Sequence, residues 1–272
     1  MNMPLPAPRP SASASGAVRA VSRSLAILQS INRHGVASMS IIARDVGLPY
    51  ATAHRLVQTL VHEGLIELEP CRKRYRPTDL VETLSCGARG ATHLVSVARA
   101  HLVELTREVS WPVSLVTRVG QSMMVRDSTH ALTSLTFNLY HPGYTLPMLD
   151  CASGLVYLAH TDAVERESIV AGLKEFGTSE KLRSQLPQLD QVLVRCRNAG
   201  YATKERNPHT DNPGLTSSIS VPISTDGGKV HGVLTLIFFA SALDMRIAVE
   251  RYLAPVTKTA RAIAVDLDAG RH

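Results

Sequence analysis

The stretch from Gly47 to Gly64, G-L-P-Y-A-T-A-H-R-L-V-Q-T-L-V-H-E-G, sorts its side chains onto two faces at the helical period. Ala53, Leu56, Val57, Leu60 and Val61 recur at i, i+3, i+4, i+7 and i+8 and form one apolar stripe. The opposite face carries Tyr50, Ala51, Thr52, His54, Arg55, Gln58 and His62, donors and acceptors with one guanidinium and no acid. Such a face suits phosphate oxygens and the base edges of a major groove, where Arg and Gln make paired hydrogen bonds to guanine and adenine. Pro49 fits a first helical turn and Gly64 follows the last periodic residue, so both ends are marked.

The neighbouring segments supply the elements that would hold this face. Met39, Ile42, Ala43 and Val46 form a second stripe on a short helix that Ser38 or Ser40 can cap, and Gly47-Leu48 makes a tight turn between the two helices. Val21, Leu25, Leu28 and Ile31 predict a third helix ending near Gly35. Downstream, Leu65 to Leu68 reads as a strand, Glu69 to Arg74 as a basic turn and Tyr75-Arg76-Pro77 as the returning strand. These elements predict a winged helix-turn-helix over residues 18–78. Its expected DNA contacts are Ser40, Tyr50, Ala51, Thr52, His54, Arg55 and Gln58 from the helices, and Arg72, Lys73 and Arg74 from the wing.

The charge distribution is an independent test of that expectation. Residues 18–78 carry nine Arg and Lys against the four acids Asp45, Glu63, Glu67 and Glu69, a net +5 out of +6 for the chain. The excess lies where a polyanion would have to be met.

At 272 residues with 44% apolar side chains, the chain has room for a small domain and a larger one. Residues 1–17 are rich in Pro, Ala and Ser and are expected to be a disordered tail. No stretch resembles a signal peptide or reaches 18 apolar residues, which predicts a soluble cytoplasmic protein with no membrane partner. Cys71, Cys86, Cys151 and Cys196 are widely separated, so no disulfide framework and no metal site is indicated. No cofactor is expected.

Beyond residue 78 the pattern alternates. Leu80, Val81 and Leu84 give a weak linker helix within residues 79–92, and Val95, Ala98, Leu102, Leu105 and Val109 a long helix after it. Val113–Val119 and Met123–Asp127 flank Gly120-Gln121-Ser122 as a hairpin, with further strands at Leu135–Tyr140, Ser217–Ile223 and Val230–Phe239. The last two are joined by the turn Asp226-Gly227-Gly228-Lys229. Helices are expected at Ser153–His160, Ala163–Leu173, Leu186–Asn198 and Asp244–Asp268. Helices interleaved with antiparallel strands predict an α+β domain over residues 93–272.

The chain resembles the IclR family of bacterial transcriptional regulators over nearly its whole length after residue 17. The likeness is carried by V-S-R-S-L-A-I-L (21–28), I-A-R-D-V-G-L-P (42–49) and T-A-H-R-L-V-Q-T-L-V-H-E-G (52–64) in the first domain. In the second it is carried by L-P-M-L-D-C-A-S-G-L-V-Y-L-A (146–159), A-G-Y-A (199–202) and S-I-S-V-P-I (218–223). Within the family, R-E-V-S-W-P-V (107–113), M-M-V-R-D-S-T-H (123–130) and L-P-M-L-D-C-A-S-G-L are most similar to the subgroup activating 3-(3-hydroxyphenyl)propionate catabolism.

The resemblance implies a GAF-like effector-binding domain, operator DNA as partner, and dimers that can pair into tetramers on DNA. An activator would also contact RNA polymerase. Carried over by motif, the effector pocket is lined by Leu146, Met148, Cys151, Ala152, Ser153 and Gly154, with Ser218, Thr235 and Ile237 from two strands. The family usually has lysine at the position of Leu155 and serines at those of Thr235 and Ile237. It also has an acid after G-Y-A that is hard to place in Thr203–His209. A less polar pocket of this kind points to a small aromatic carboxylate.

Arg118, Arg126, His130 and Arg206 are the candidates for a carboxylate clamp, Arg126 and Arg206 first among them. Ser153 invites a hydrolase reading, but Cys151-Ala152-Ser153-Gly154-Leu155 lacks the first glycine of a nucleophile elbow, and capping the helix is the plainer role. His130, His141, His160, His209 and His231 lack metal-ligand spacing. The stripes at Val95–Val109 and at Val249, Leu253, Val256, Ala260, Ile263 and Leu267 are core or subunit contacts, too short for a coiled coil. The expectation is an effector-responsive activator of an aromatic-compound catabolic operon, associated with the nucleoid and with no catalytic residues. A repressor of the same kind of operon, or an enzyme with a DNA-binding appendage, are the alternatives. An architectural DNA binder would need no cavity.

Overall fold

A computed structural model of the chain describes residues 18–70, 72–85, 89–136, 141–176, 184–210, 213–225 and 228–270. The fold divides into two compact units, with the boundary after Arg89. The expected disordered tail 1–17, Cys71 of the wing turn, and Cys86 lie outside the described residues.

The first unit runs α1 (Arg19–His34), β1 (Ala37–Ser38), α2 (Met39–Asp45), α3 (Tyr50–His62), β2 (Ile66–Leu68), β3 (Arg74–Pro77) and α4 (Leu80–Thr83). Ile27, Leu28 and Ile31 of α1 pack on Ile42 of α2, Ala53, Val57 and Leu60 of α3, and Ile66 and Tyr75 of the hairpin. Of the two serines able to cap α2, Ser38 does so, its Oγ accepting the Ile41 N–H at 3.4 Å, while Ser40 lies exposed inside the helix. Gly47 at φ +62° makes the turn, and the Leu48 N–H closes it on the Ala43 carbonyl at 3.1 Å. Pro49 precedes α3 as its cap residue, and Tyr50 is the first helical residue. Strand β1, which the sequence pattern does not predict, joins the wing in a sheet of order β1-β3-β2. Two residues are too few to show a period. Arg74, expected in the wing turn, is drawn into β3 by pairing with Ser38.

The second unit runs α5 (Arg89–Val109), β4 (Val113–Val119), β5 (Ser122–Ser128), β6 (Thr145–Pro147), α6 (Ala152–His160), α7 (Ala163–Phe176), α8 (Leu189–Ala199), β7 (Ala202–Lys204), β8 (Thr216–Ser224), β9 (Val230–Phe239) and α9 (Met245–Ala269). Its six strands form an antiparallel sheet of order β6-β5-β4-β9-β8-β7. The alternation of β8 and β9 divides their residues between two faces. Ile219, Val221 and Ile223 join Leu234, Leu236 and Phe238 beneath α5 and α9 in one core. Ser218, Thr235 and Ile237, one residue out of step, face the other side, where α6, α7 and α8 build a second core with Val116, Met123 and Val125. This is an α+β fold with helices on both faces of the sheet.

Several local expectations are corrected. Leu135 and Thr136 are not in a strand, residues 137–140 lie outside the described residues, and His130–Leu132 forms a short 3-10 turn instead. Residues 226–227 of the expected β8–β9 turn are likewise outside, although Gly228 at φ +74° is described. Strands β6 and β7, three residues each, are too short to show a pattern. Helix α6 begins one residue early, with Cys151 as its cap residue and no side-chain cap, so Ser153 does not cap it. The Ser153 hydroxyl donates to Cys151 Sγ at 3.3 Å instead.

Gly154 is set by close approach rather than by backbone angle. A Cβ there would stand 1.9 Å from the Met148 carbonyl oxygen, in the 3-10 turn Met148–Asp150 that leads into α6. A Cβ at Gly172 of α7 would meet only the Gln121 Nε2, the end of a flexible side chain, at 3.3 Å. Gly154→Ala should therefore cost about 1–3 kcal/mol or more in urea unfolding followed by circular dichroism. Gly172→Ala should be neutral or gain up to about 1 kcal/mol from helix propensity. Equal unfolding midpoints for the two variants would contradict the close packing of α6 on this turn.

Candidate nucleic-acid interface and effector cavity

On α3 the burial pattern separates the two faces that the sequence predicts. Ala53, Val57 and Leu60 are buried, whereas Ala51, His54, Arg55, Gln58 and His62 are exposed and Thr52 is half-buried. Tyr50 is 58% exposed, and its ring stacks on His54 with centroids 6.2 Å apart and planes 13° from parallel. The pair stiffens the start of the exposed face, since each ring limits the rotamers of the other. Thr59 belongs to the same face, although sequence reasoning did not single it out; its hydroxyl donates to the Arg55 carbonyl at 3.1 Å.

In the wing, Arg72, Lys73 and Arg74 are exposed, and Lys73 at φ +48° turns the chain. The Glu69 N–H closes the turn on the Arg74 carbonyl at 2.7 Å. Arg76 is instead engaged by Glu67 at 2.6 Å across β2 and β3. Arg72, Lys73 and Arg74 are thus the wing cations presented outward.

In the second unit a small cavity lies between the sheet and the entry to α6. Leu146, Cys151, Ala152, Ser153, Ser218, Thr235 and Ile237, all expected there, line it. Four expected residues do not. Met148 is buried in the core below α6, and Gly154 is taken up by the backbone contact with that turn. Arg126 is the extra residue of a bulge, where Leu115 pairs with Asp127 and Val116 with Val125, and its Nε donates to Thr117 Oγ1 at 2.7 Å. Alternation from Val125, which lines the cavity, already places Arg126 on the other face of β5, beside Thr117. Arg206 is exposed, and its guanidinium reaches only toward the Gly214 carbonyl at 3.5 Å. Leu155, counted as a source of apolarity, is a half-buried residue of α6 that packs against the second core and is not a lining residue.

The remaining clamp candidates are also elsewhere. Arg118 pairs with Glu165 at 3.0 Å in a separate groove against α7. Burial lowers the imidazole pKa of both His130 and His160, which favours their neutral forms. Among the described residues no cluster of three His, Cys, Asp or Glu could hold a metal ion.

Sequence reasoning missed Ser114, Val116, Val125, Asn207, Thr210, Thr216 and Ser217, which complete the lining. Ser114 in the otherwise apolar run V-S-L-V, and the paired serines at 217 and 218, are the available signals. Asn207 and Thr210 come from the segment after β7 where the family's acid could not be placed. The cavity is therefore walled by hydroxyls, one amide and apolar groups, with no ionisable acid or base among its described lining residues except the Cys151 thiol. Burial pushes that thiol up, so it stays protonated and behaves as a small apolar group. The N-terminal turn of α6 opens into this space. Its first N–H groups have no side-chain cap and carry the positive end of the helix dipole, which is the chemistry of an anion site.

Among the described residues no helix is long and apolar enough to cross a membrane. Residues 20–70 match the IclR helix-turn-helix domain, and residues 86–265 match the bacterial transcriptional regulator IclR C-terminal domain. The transcriptional regulator TsaQ1/TsaQ2 of Comamonas testosteroni is 25% identical over 218 residues, which is 79% of this chain and 77% of that protein. XynR of Escherichia coli K12 is 22% identical over 229 residues, covering 84% of this chain and 88% of that one. The fold is similar to the IclR homologue of Microbacterium hydrocarbonoxydans crystallised with 4-hydroxybenzoate, with a TM-score of 0.64, 23% identity, and coverage of 92% of this chain and 99% of that one. Both matched domains and both relatives are those of regulators rather than enzymes. With a helix-turn-helix domain in front and a regulator's C-terminal domain behind, this chain belongs to the IclR family of DNA-binding transcriptional regulators.

Proposed function

We propose that the protein activates an operon for the catabolism of an aromatic compound, and that a small aromatic carboxylate bound in the cavity of the second unit is its signal. The observation that carries the effector reading is the uncapped start of α6 opening into a cavity free of acids. A carboxylate there meets N–H groups and hydroxyls and no like charge. Val116, Val125, Leu146 and Ile237 offer a ring apolar walls. The Microbacterium homologue, crystallised with 4-hydroxybenzoate, supports the class, and the phenylpropionate-like segments at 107–113, 123–130 and 146–155 support both the class and the activating role. In that role its partners are operator DNA, a second copy of itself in a dimer or tetramer, and RNA polymerase, and it works on the nucleoid in the cytoplasm.

Cavity size favours a second reading, a two- or three-carbon keto acid. The free space of about 30 Å³ admits roughly two waters. An aromatic acid therefore enters by outward movement of Leu146 and Thr210, lining residues supplied neither by strands β4, β5, β8 and β9 nor by the entry to α6.

For the DNA face, Arg55→Ala and Gln58→Ala should each lose about 1–3 kcal/mol of discrimination between operator and random DNA. Replacing Arg72, Lys73 and Arg74 together by Gln should leave discrimination intact and flatten log K against log salt by about 0.9 for each phosphate no longer neutralised. Anisotropy titrations at several salt concentrations separate the two. A helix variant that loses only salt dependence, or a wing variant that loses only discrimination, would reverse the assignment.

For the effector, calorimetric titration of the full chain should show binding of 4-hydroxybenzoate and 3-(3-hydroxyphenyl)propionate. Ser153→Asp should abolish that binding, because it buries a like charge beside the carboxylate. Binding of pyruvate or glyoxylate with no response to either aromatic acid would establish the small-acid reading in its place.

A further inference from the structure

We propose that the contact between His209 and Asp150 is the latch of the cavity: it holds the strap Glu205–Thr210 closed and sets how fast a molecule enters and leaves, without touching that molecule. The strap follows β7 and supplies two lining residues, Asn207 and Thr210, which are only 5% and 4% exposed. Its first half is fastened to β8. The Asn207 N–H donates to the Thr216 carbonyl at 3.0 Å, and the Arg206 N–H donates to Ser217 Oγ at 3.2 Å. Arg206 itself sits at φ +43°, a left-handed conformation in a residue other than glycine, where the chain enters the strap.

The second half is held differently. His209 Nε2 stands 3.0 Å from Asp150 Oδ2, and the other carboxylate oxygen accepts from Gln185 Nε2 at 3.0 Å. Asp150 immediately precedes Cys151, Ala152 and Ser153, so this contact joins the strap to the opposite wall of the cavity. Tyr144 OH donates to the His209 carbonyl at 3.2 Å, and Asn207 Oδ1 accepts the His209 N–H at 2.9 Å, which orient the imidazole from behind.

The energetics suit a latch. The Asp150 side chain is 11% exposed, so leaving it without His209 is unfavourable and the closed state is preferred. The His209 side chain is 34% exposed, so water can replace Asp150 as its partner and the opening cost stays small.

The inference rests on the proposed effector role of the cavity only for its biological meaning, and its test needs no effector. Cys151, buried in the cavity wall, reports opening through its reaction with iodoacetamide, and Cys196 of α8, buried outside the cavity, reports general loosening of the fold. Labelling rates at the two cysteines are followed by peptide mass spectrometry in the full-length protein and in Asp150→Asn, His209→Gln and the double variant. The ratio of the Cys151 rate to the Cys196 rate should rise about tenfold in each single variant and no further in the double. An unchanged ratio in either single variant, or a double variant whose gain is the product of the two, would overturn the latch.

Discussion

The second unit depends on one close approach, that of Gly154 to the Met148 carbonyl. Because residue 154 has no side chain, α6 seats its first turn directly on the 3-10 turn that precedes it. Seven of its nine residues are buried, which leaves its N-terminal N–H groups facing an internal space rather than solvent. The packing constraint and the proposed anion site share one origin: the glycine that allows the helix to sink is what brings Ala152 and Ser153 to the cavity.

The sheet divides its labour in a complementary way. In β8 and β9 the residues facing α5 and α9 are Ile, Val, Leu and Phe, fully buried and apolar. The residues between them include Ser218, Ser220 and Thr235, with the Ser220 and Thr235 hydroxyls 2.8 Å apart. In these two strands one face is wholly apolar and feeds the core beneath α5 and α9, while the other mixes hydroxyls with the apolar groups of the second core. The first unit shows the same economy on one helix. The inner stripe of α3 is core, and its outer face retains no packing duty, so Arg55 and Gln58 are available to DNA.

How much of this is legible in the sequence follows from the length and periodicity of each element. Helix α3, the hairpin β4–β5 and strands β8 and β9 span seven residues or more, enough for a repeat to declare itself, and they stand where the periodicity puts them. Strands β1, β6 and β7, at two or three residues, exist only through their partners. Seven of the lining residues, including Ser153, Ser218 and Thr235, are carried by motif. Arg126 is selected by its charge alone, and it lies off the cavity because it alternates along β5 with Val125, which lines it. Arg206 is selected by its charge alone, and its place outside the lining is set by the fold of the strap, which no local pattern encodes. Asn207 and Thr210 reach the cavity through a strap folded back by long-range hydrogen bonds.

If the cavity and α3 belong to one switch, thermodynamic linkage makes their coupling measurable. The affinity of the full-length protein for its operator should be determined at one fixed salt concentration, with and without saturating 4-hydroxybenzoate. A coupled switch changes the operator Kd by at least about fivefold, and Ser153→Asp removes the change while keeping the effector-free affinity. An operator Kd that is the same with and without the aromatic acid, in a protein shown to bind it, would contradict the account.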